Sequence, residues 1–230
     1  MASANQLPSV KGEIGFQPSR DIQSLEGKTV LITGANSGLG RQTALELAKH
    51  NPSHIWMAAR SIMGHPAALT RDGYEIHFGT NHLGHALLLK LLTPLLVKTS
   101  HSVSDVRVVS LTSWGYKFCK EPGIPGLGPV QRYTQSKTAN LIYAKEVASK
   151  YPEFTTVSVD PGNVMTGLFQ REYGDDYMGR LATVVALEAA LSVEDGPIGV
   201  AGTECGYALD KELSRKLWEW TEKELEPYTL

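Results

Sequence analysis

Apolar residues along this chain follow two spacings in turn. Thr29-Val30-Leu31-Ile32-Thr33 and His54-Ile55-Trp56-Met57-Ala58-Ala59 are short runs of branched and aromatic residues. Segments 106–111 and 155–159 repeat the pattern. Such runs, bounded by polar residues or glycine, read as strands. Between them the spacing turns helical. Segment 41–50 places Ala44, Leu45, Leu47 and Ala48 on one side and is followed by Pro52. Segment 72–98 is a long helical stretch, and 133–150 and 181–191 are further helices. Segment 209–226 is a charged surface helix with Leu213, Leu217 and Trp220 on its inner face. Strands alternating with helices predict an α/β fold, a doubly wound parallel sheet covered on both faces.

Composition narrows the setting. The chain has 230 residues, enough for one α/β domain over 26–230. Residues 1–25 are polar with scattered Pro and Gly and read as a flexible arm; they lack the apolar region of a secretory signal. With 42% hydrophobic residues, 20% charged residues and a net charge of -2, the chain reads as a soluble globular protein without the basic field that nucleic acid requires. The apolar stretch 86–97 is interrupted by Lys90 and Pro94 and is too short to span a bilayer. Two cysteines argue against a disulfide scaffold and for a reducing, cytoplasmic setting.

Three constellations carry chemistry. The first is Thr33-Gly34-Ala35-Asn36-Ser37-Gly38-Leu39-Gly40, between the first strand and its helix. Gly34 permits the tight turn, Gly38 lets the backbone approach a pyrophosphate, and Gly40 allows close helix–strand packing. Ser37 and Leu39 complete the residues expected against a cofactor. The helix N-terminus adds free N–H groups for phosphate. The second is Arg60, at the end of the second strand. No acid stands there to bind a ribose 2′-hydroxyl, and a guanidinium suits the 2′-phosphate of NADP. The third is Tyr133 with Lys137, one helical turn apart. An ammonium beside a phenol favours the phenolate, so Tyr133 can exchange a proton with an alcohol or carbonyl as hydride moves. Ser113, at the carboxyl end of the strand 106–111, can polarise the substrate oxygen; Ser110 and Thr112 compete for that part.

In this order, and with Asn81-His82-Leu83-Gly84 and Asp160-Pro161-Gly162-Asn163-Val164-Met165-Thr166, these residues resemble the short-chain dehydrogenases/reductases. The nearest branch is that of the retinol-dehydrogenase-like and WW-domain-oxidoreductase-like enzymes common in fungi. The resemblance implies a Rossmann-like sheet and a catalytic tetrad. Asn81 would hold a water behind Lys137, Ser113 would orient the substrate, and Tyr133 would be the acid/base. Val164 and Thr166 would touch the nicotinamide amide and the phosphates, and Lys90 would stand at an often basic position near the cofactor. It also implies a homo-oligomer and by analogy a place in secondary metabolism; with Arg60, the expected cofactor is NADP and the substrate a small alcohol or carbonyl.

One departure is large. Only the ten residues Ser61 to Thr70 separate Arg60 from Arg71. The family places a strand, a helix and another strand there, a unit of roughly 30 residues. The third and fourth strands are therefore expected to be missing, and Ile62-Met63 reads as the tail of the lost motif. Either the next strand closes up against the first, or two central edges stay unpaired. Three readings follow: an active NADP-dependent oxidoreductase on a secondary alcohol or ketone, a truncated and impaired relative, or a module that senses NADP(H) without turnover.

Overall fold

A computed structural model describes residues 17–35, 38–58, 62–103, 105–113, 116, 119, 127–160 and 210–228. The expected strands form almost residue for residue: β1 (Thr29–Thr33), β2 (His54–Ala58), β3 (Arg107–Leu111) and β4 (Thr155–Val159). The helices among the described residues are α1 (Pro18–Asp21), α2 (Gly38–Ala48), α3 (Ile76–Phe78), α4 (Gly84–Ser100), α5 (Pro129–Lys150) and α6 (Lys211–Glu224). Their ends follow local chemistry. Pro129 supplies a ready-made first-turn φ for α5. The Asp210 carboxylate caps α6, accepting from the N–H groups of Glu212 and Leu213 at 2.9 and 3.0 Å. The helix expected over 181–191 lies outside the described residues. None of the described helices is long and apolar enough to cross a membrane.

The sheet is where the missing residues tell. β1 pairs with β2 in parallel, Thr29 opposite His54 through Thr33 opposite Ala58. β3 pairs with β4 in parallel, Arg107 opposite Thr155 through Leu111 opposite Val159. Among the described residues the two pairs share no ladder, so β3 has not closed against β1. Each pair has its own core. Val30, Ile32 and Ile55 turn toward Ile22, Leu25 and Leu47. Beside β3 and β4, Val106, Tyr143, Val147 and Phe154 join Leu83, Ala86 and Leu225. On the other face of the first pair, the register partners Leu31 and Trp56 are 40% and 63% exposed. Large apolar residues of a two-layer α/β core rarely stay so open. An ion pair, Lys28 to Asp105 at 3.0 Å, joins the start of β1 to the segment before β3.

The N-terminal stretch is described from residue 17: from Pro18 the chain turns into α1, and Ile22 is buried against Leu47. The helix expected over 72–98 runs unbroken from Ile76 to Ser100, but not as one α-helix. It starts at α3, where the Glu75 carboxylate accepts from the Phe78 N–H at 2.8 Å. It then widens into a π-helical turn over Gly79–Leu83 and resumes as α4.

The C-terminal helix is bolted to α5 and to the π turn by aromatic and polar contacts. Trp218 stacks on Tyr143 at 5.0 Å, and Trp220 meets Phe78 and Tyr74 edge-on at 5.7 and 6.3 Å. The Tyr143 hydroxyl donates to Glu222 at 3.1 Å, and that of Tyr74 to Glu224 at 2.6 Å. His82 is buried at the centre of this joint, its ring edge-on to Tyr143. Its Nδ1 lies 3.3 Å from Asn140 Oδ1 and its Nε2 3.1 Å from Thr221 Oγ1. A carbonyl oxygen can only accept, so Nδ1 carries the proton and Nε2 accepts from the threonine hydroxyl. Burial pushes the imidazolium down to about 4, against a smaller opposing pull from Asn140, and the ring is neutral at ordinary pH.

Candidate active site

β3 and α5 bring Ser113, Tyr133 and Lys137 together. β3 ends at Leu111, and the next two residues reach α5. Thr112 Oγ1 donates to the Lys137 carbonyl at 2.9 Å, tying the strand end to the helix. Ser113 is the hydroxyl hydrogen-bonded to the Tyr133 side chain. This separates two of the three candidates: Thr112 is spent on the backbone, and Ser113 meets the phenol. Burial raises the Tyr133 pKa; the Ser113 bond, which favours the phenolate, opposes this, and the Asp160 charge adds to it. Lys137 is buried, with Nζ 5.8 Å from the centre of the Tyr133 ring. The Lys137 ammonium donates to the Leu111 carbonyl at 3.0 Å. Burial pushes it down to about 8, close to the range in which a lysine exchanges protons at neutral pH.

Asn81 lies in the π turn and is buried. Its Nδ2 donates to Ser136 Oγ at 3.0 Å and to the Ile62 carbonyl at 2.9 Å, while its Oδ1 accepts from the Ile62 N–H at 3.0 Å. Ser136, wholly buried, donates in turn to the Tyr133 carbonyl at 2.7 Å. The Asn81 side chain therefore clamps the start of the short connection and anchors the first turns of α5. Sequence reasoning missed Ser136. Its signal was present, since a serine directly before Lys137 must lie on the helix side next to Tyr133.

The glycine turn follows β1. Gly34 adopts φ +67°, a left-handed conformation that other residues rarely take, and a Cβ there would meet nothing within 4 Å. Open space over the turn and the first N–H groups of α2 fit a bound pyrophosphate. Gly40 is different. A Cβ on it would lie 2.5 Å from the Gly34 carbonyl oxygen, so it serves close packing between α2 and the turn. Gly38 and Leu39 open α2. Ser37, Arg60, Val164 and Thr166 lie outside the described residues. Lys90 has another task than the cofactor contact expected of it: its ammonium is 3.1 Å from the Glu222 carboxylate and 3.4 Å from the Glu222 carbonyl, fastening α4 to α6. Among the described residues no cluster of three His, Cys, Asp or Glu side chains could hold a metal.

No family model matches the chain. Curated relatives do. Short-chain dehydrogenase/reductase drtF of Aspergillus calidoustus is 27% identical, over 89% of this chain and 95% of that protein. Mouse retinol dehydrogenase 14 is 28% identical, over 90% of this chain and 88% of its own length. The chain is a homologue of the short-chain dehydrogenases/reductases. Its homologues are oxidoreductases, and with them it shares the Rossmann-like fold. A solved protein from Mycobacterium paratuberculosis superposes with a TM-score of 0.70, at 24% identity over 92% of this chain and 97% of that one. The 3-ketoacyl-(acyl-carrier-protein) reductase of Brucella melitensis, solved with NADH, gives 0.56 at 18% identity over 76% and 96%. The alignment with the Aspergillus short-chain dehydrogenase/reductase runs over 300 positions, more than this chain's 230 residues can fill. At least 70 positions therefore face a gap, consistent with a chain shorter than this relative by internal segments.

Proposed function

We propose that this short-chain dehydrogenase/reductase homologue is an NADP(H)-dependent oxidoreductase that interconverts a secondary alcohol and a ketone. The observation that carries the reading is the meeting of Ser113, Tyr133 and Lys137 at one point. A nicotinamide dinucleotide over the Gly34 turn would supply the hydride. The rest falls to the chain. Ser113 holds the substrate oxygen beside the Tyr133 hydroxyl. Burial keeps that phenol protonated at neutral pH, the state needed to give a proton to a carbonyl oxygen. Lys137 keeps a positive charge close to the oxygen as the proton leaves and restores the proton afterwards. Asn81, acting through Ser136, holds the helix that carries both. The choice of NADP over NAD rests on Arg60 and the absence of an acid at that place in the sequence.

A thermal melt with NADPH and with NADH, followed by NADPH oxidation over a panel of ketones, tests this. NADPH should raise the melting temperature more than NADH, and at least one ketone should be reduced. An unchanged melt with both nucleotides would favour the second reading, an impaired and truncated relative. The specific observation behind that reading is the separation of the β1–β2 and β3–β4 pairs.

A further inference from the structure

We propose that Glu75 and Arg132 are positioning residues for the reaction, their ion pair setting the first turn of α5 and with it the place of the Tyr133 hydroxyl. The proposal rests on the reading of Tyr133 as the acid/base. Arg132 acts through the backbone, as the neighbour of Tyr133 in the chain.

The reason lies in how α5 is held. Arg132, Ser136 and Asn140 stand at four-residue intervals along one stripe of this helix. Each meets a polar side chain from the stretch 75–82. Arg132 Nε lies 3.1 Å from Glu75 Oε1. Ser136 Oγ accepts from Asn81 Nδ2 at 3.0 Å, and Asn140 Oδ1 from His82 Nδ1 at 3.3 Å. Apolar packing is non-directional, so these three contacts fix the rotation and height of the helix. Tyr133 lies between the first two. The first is also the one at the end most prone to fray, because Gly128 stands at the N-cap and offers no side chain to cap the turn. Arg132 closes that turn instead: its N–H donates to the Gly128 carbonyl at 3.1 Å, and its Nη1 to the Leu127 carbonyl.

Glu75 is held for this part. Its Oε2 accepts from the Phe78 N–H at 2.8 Å, and its Oε1 also accepts from His77 Nδ1 at 2.8 Å. His77 is wholly buried, and its Nε2 accepts from the His65 N–H at 3.3 Å, so Nδ1 carries the proton that Glu75 meets. The carboxylate is thus fixed against rotation and tied to the short connection. Burial works against its charge, but the bonds from His77 and Phe78 outweigh burial and hold the carboxyl below its ordinary range. Arg132 needs that charge. Its side chain is only 14% exposed, and its Nε is shut off from solvent without an aligned hydrogen bond of its own. A cation so placed is stabilised by an opposite charge close by, and removing one partner leaves the other uncompensated.

Two measurements test this. The first needs no cofactor: amide hydrogen exchange is followed by NMR in Glu75→Gln, whose amide oxygen can still meet Phe78 and His77 but carries no charge. The amides of residues 132–136 should exchange about tenfold faster than in the parent, and those of 143–150 at an unchanged rate. Unchanged rates at 132–136 overturn the proposal. The second uses NADPH and a ketone that the unsubstituted protein reduces, with rates counted per NADPH-binding site. Glu75→Gln and Arg132→Met should each lower kcat about tenfold or more, with KM and the NADPH-induced rise in melting temperature unchanged. The double variant should be no slower than the slower single one, because both substitutions remove the same contact. Glu75→Asp, which draws the carboxylate back by one methylene, gives the same readouts if the Gln protein does not fold. Single variants as fast as the parent, or losses that multiply in the double variant, overturn the pair and leave Tyr133 as acid/base intact. A parent protein that reduces no ketone overturns both.

Discussion

Acidification should undo the joint around His82 before it undoes most of the fold. The neutral ring donates to Asn140 and accepts from Thr221 inside the aromatic contacts of Tyr143 and Phe78. In the unfolded chain the imidazole titrates near its ordinary value of about 6.5. In the folded chain it is pushed down to about 4, chiefly by burial. Between those values the unfolded state binds more protons than the folded one. Stability therefore rises with pH through this window: the contribution is complete above about pH 6.5 and is lost as pH falls toward the folded value. The full depression corresponds to about 3 kcal/mol, of which roughly 2.5 kcal/mol is lost between about pH 7.5 and about pH 4.5. Other groups titrate over the same range, so the measurement is a difference. Urea denaturation of the protein and of His82→Gln is followed at both pH values. Glutamine can keep one donor and one acceptor but cannot bind the proton. The parent should lose roughly 2.5 kcal/mol more than the variant on acidification. Parallel losses would show that His82 is not held neutral, and the reasoning about this joint would fail.

Other substitutions test other parts. Gly40→Ala forces a Cβ to within 2.5 Å of the Gly34 carbonyl oxygen, a backbone atom with little room to yield. It should cost about 1–3 kcal/mol in urea denaturation and weaken NADPH binding. Tyr133→Phe should abolish ketone reduction while NADPH still raises the melting temperature. Ser136→Ala leaves the Asn81 Nδ2 one acceptor short in a buried place and should cost about 1–3 kcal/mol, with a lower kcat, read by denaturation and NADPH oxidation. Trp56→Lys changes a side chain that is 63% exposed, so it should leave the melting temperature within a degree or two and reduce aggregation measured by light scattering.

Local patterns carried much of this fold. β1 and β4 match the segments marked by their branched residues, β3 lacks only Val106 of the segment expected, and β2 follows its segment to Ala58, the last described residue there. The pairing of Tyr133 with Lys137 needed only the pitch of a helix. What the sequence did not disclose depends on contacts far along the chain. The π turn at Asn81 goes with an amide that grips Ile62 and Ser136, and no periodicity within 72–98 encodes those partners. Lys90 looked like a basic residue near a cofactor because its partner, Glu222, comes from the last helix. On that helix the expected inner face of Leu213, Leu217 and Trp220 is rotated: Ser214, Thr221 and Leu225 are buried, and Trp218 rather than Trp220 stacks on α5. The aromatic rings of Tyr143 and Phe78 choose the face, and hydropathy alone cannot rank two tryptophans. The choice left open by the short connection, closure or a gap, could only be read from strand pairing.

That gap divides the protein's labour as well as its sheet. The turn at Gly34 belongs to the half built on β1 and β2, and Ser113, Tyr133, Lys137 and Asn81 belong to the half built on β3 and β4. Between the strand pairs runs a half-exposed ion pair, Lys28 with Asp105, which contributes at most about 1 kcal/mol and weakens with salt. A dinucleotide lying across both halves would then act as a cross-brace. The fraction of molecules with both halves aligned would follow the nucleotide concentration by mass action, so that the supply of reductant sets how much of this protein is assembled for work.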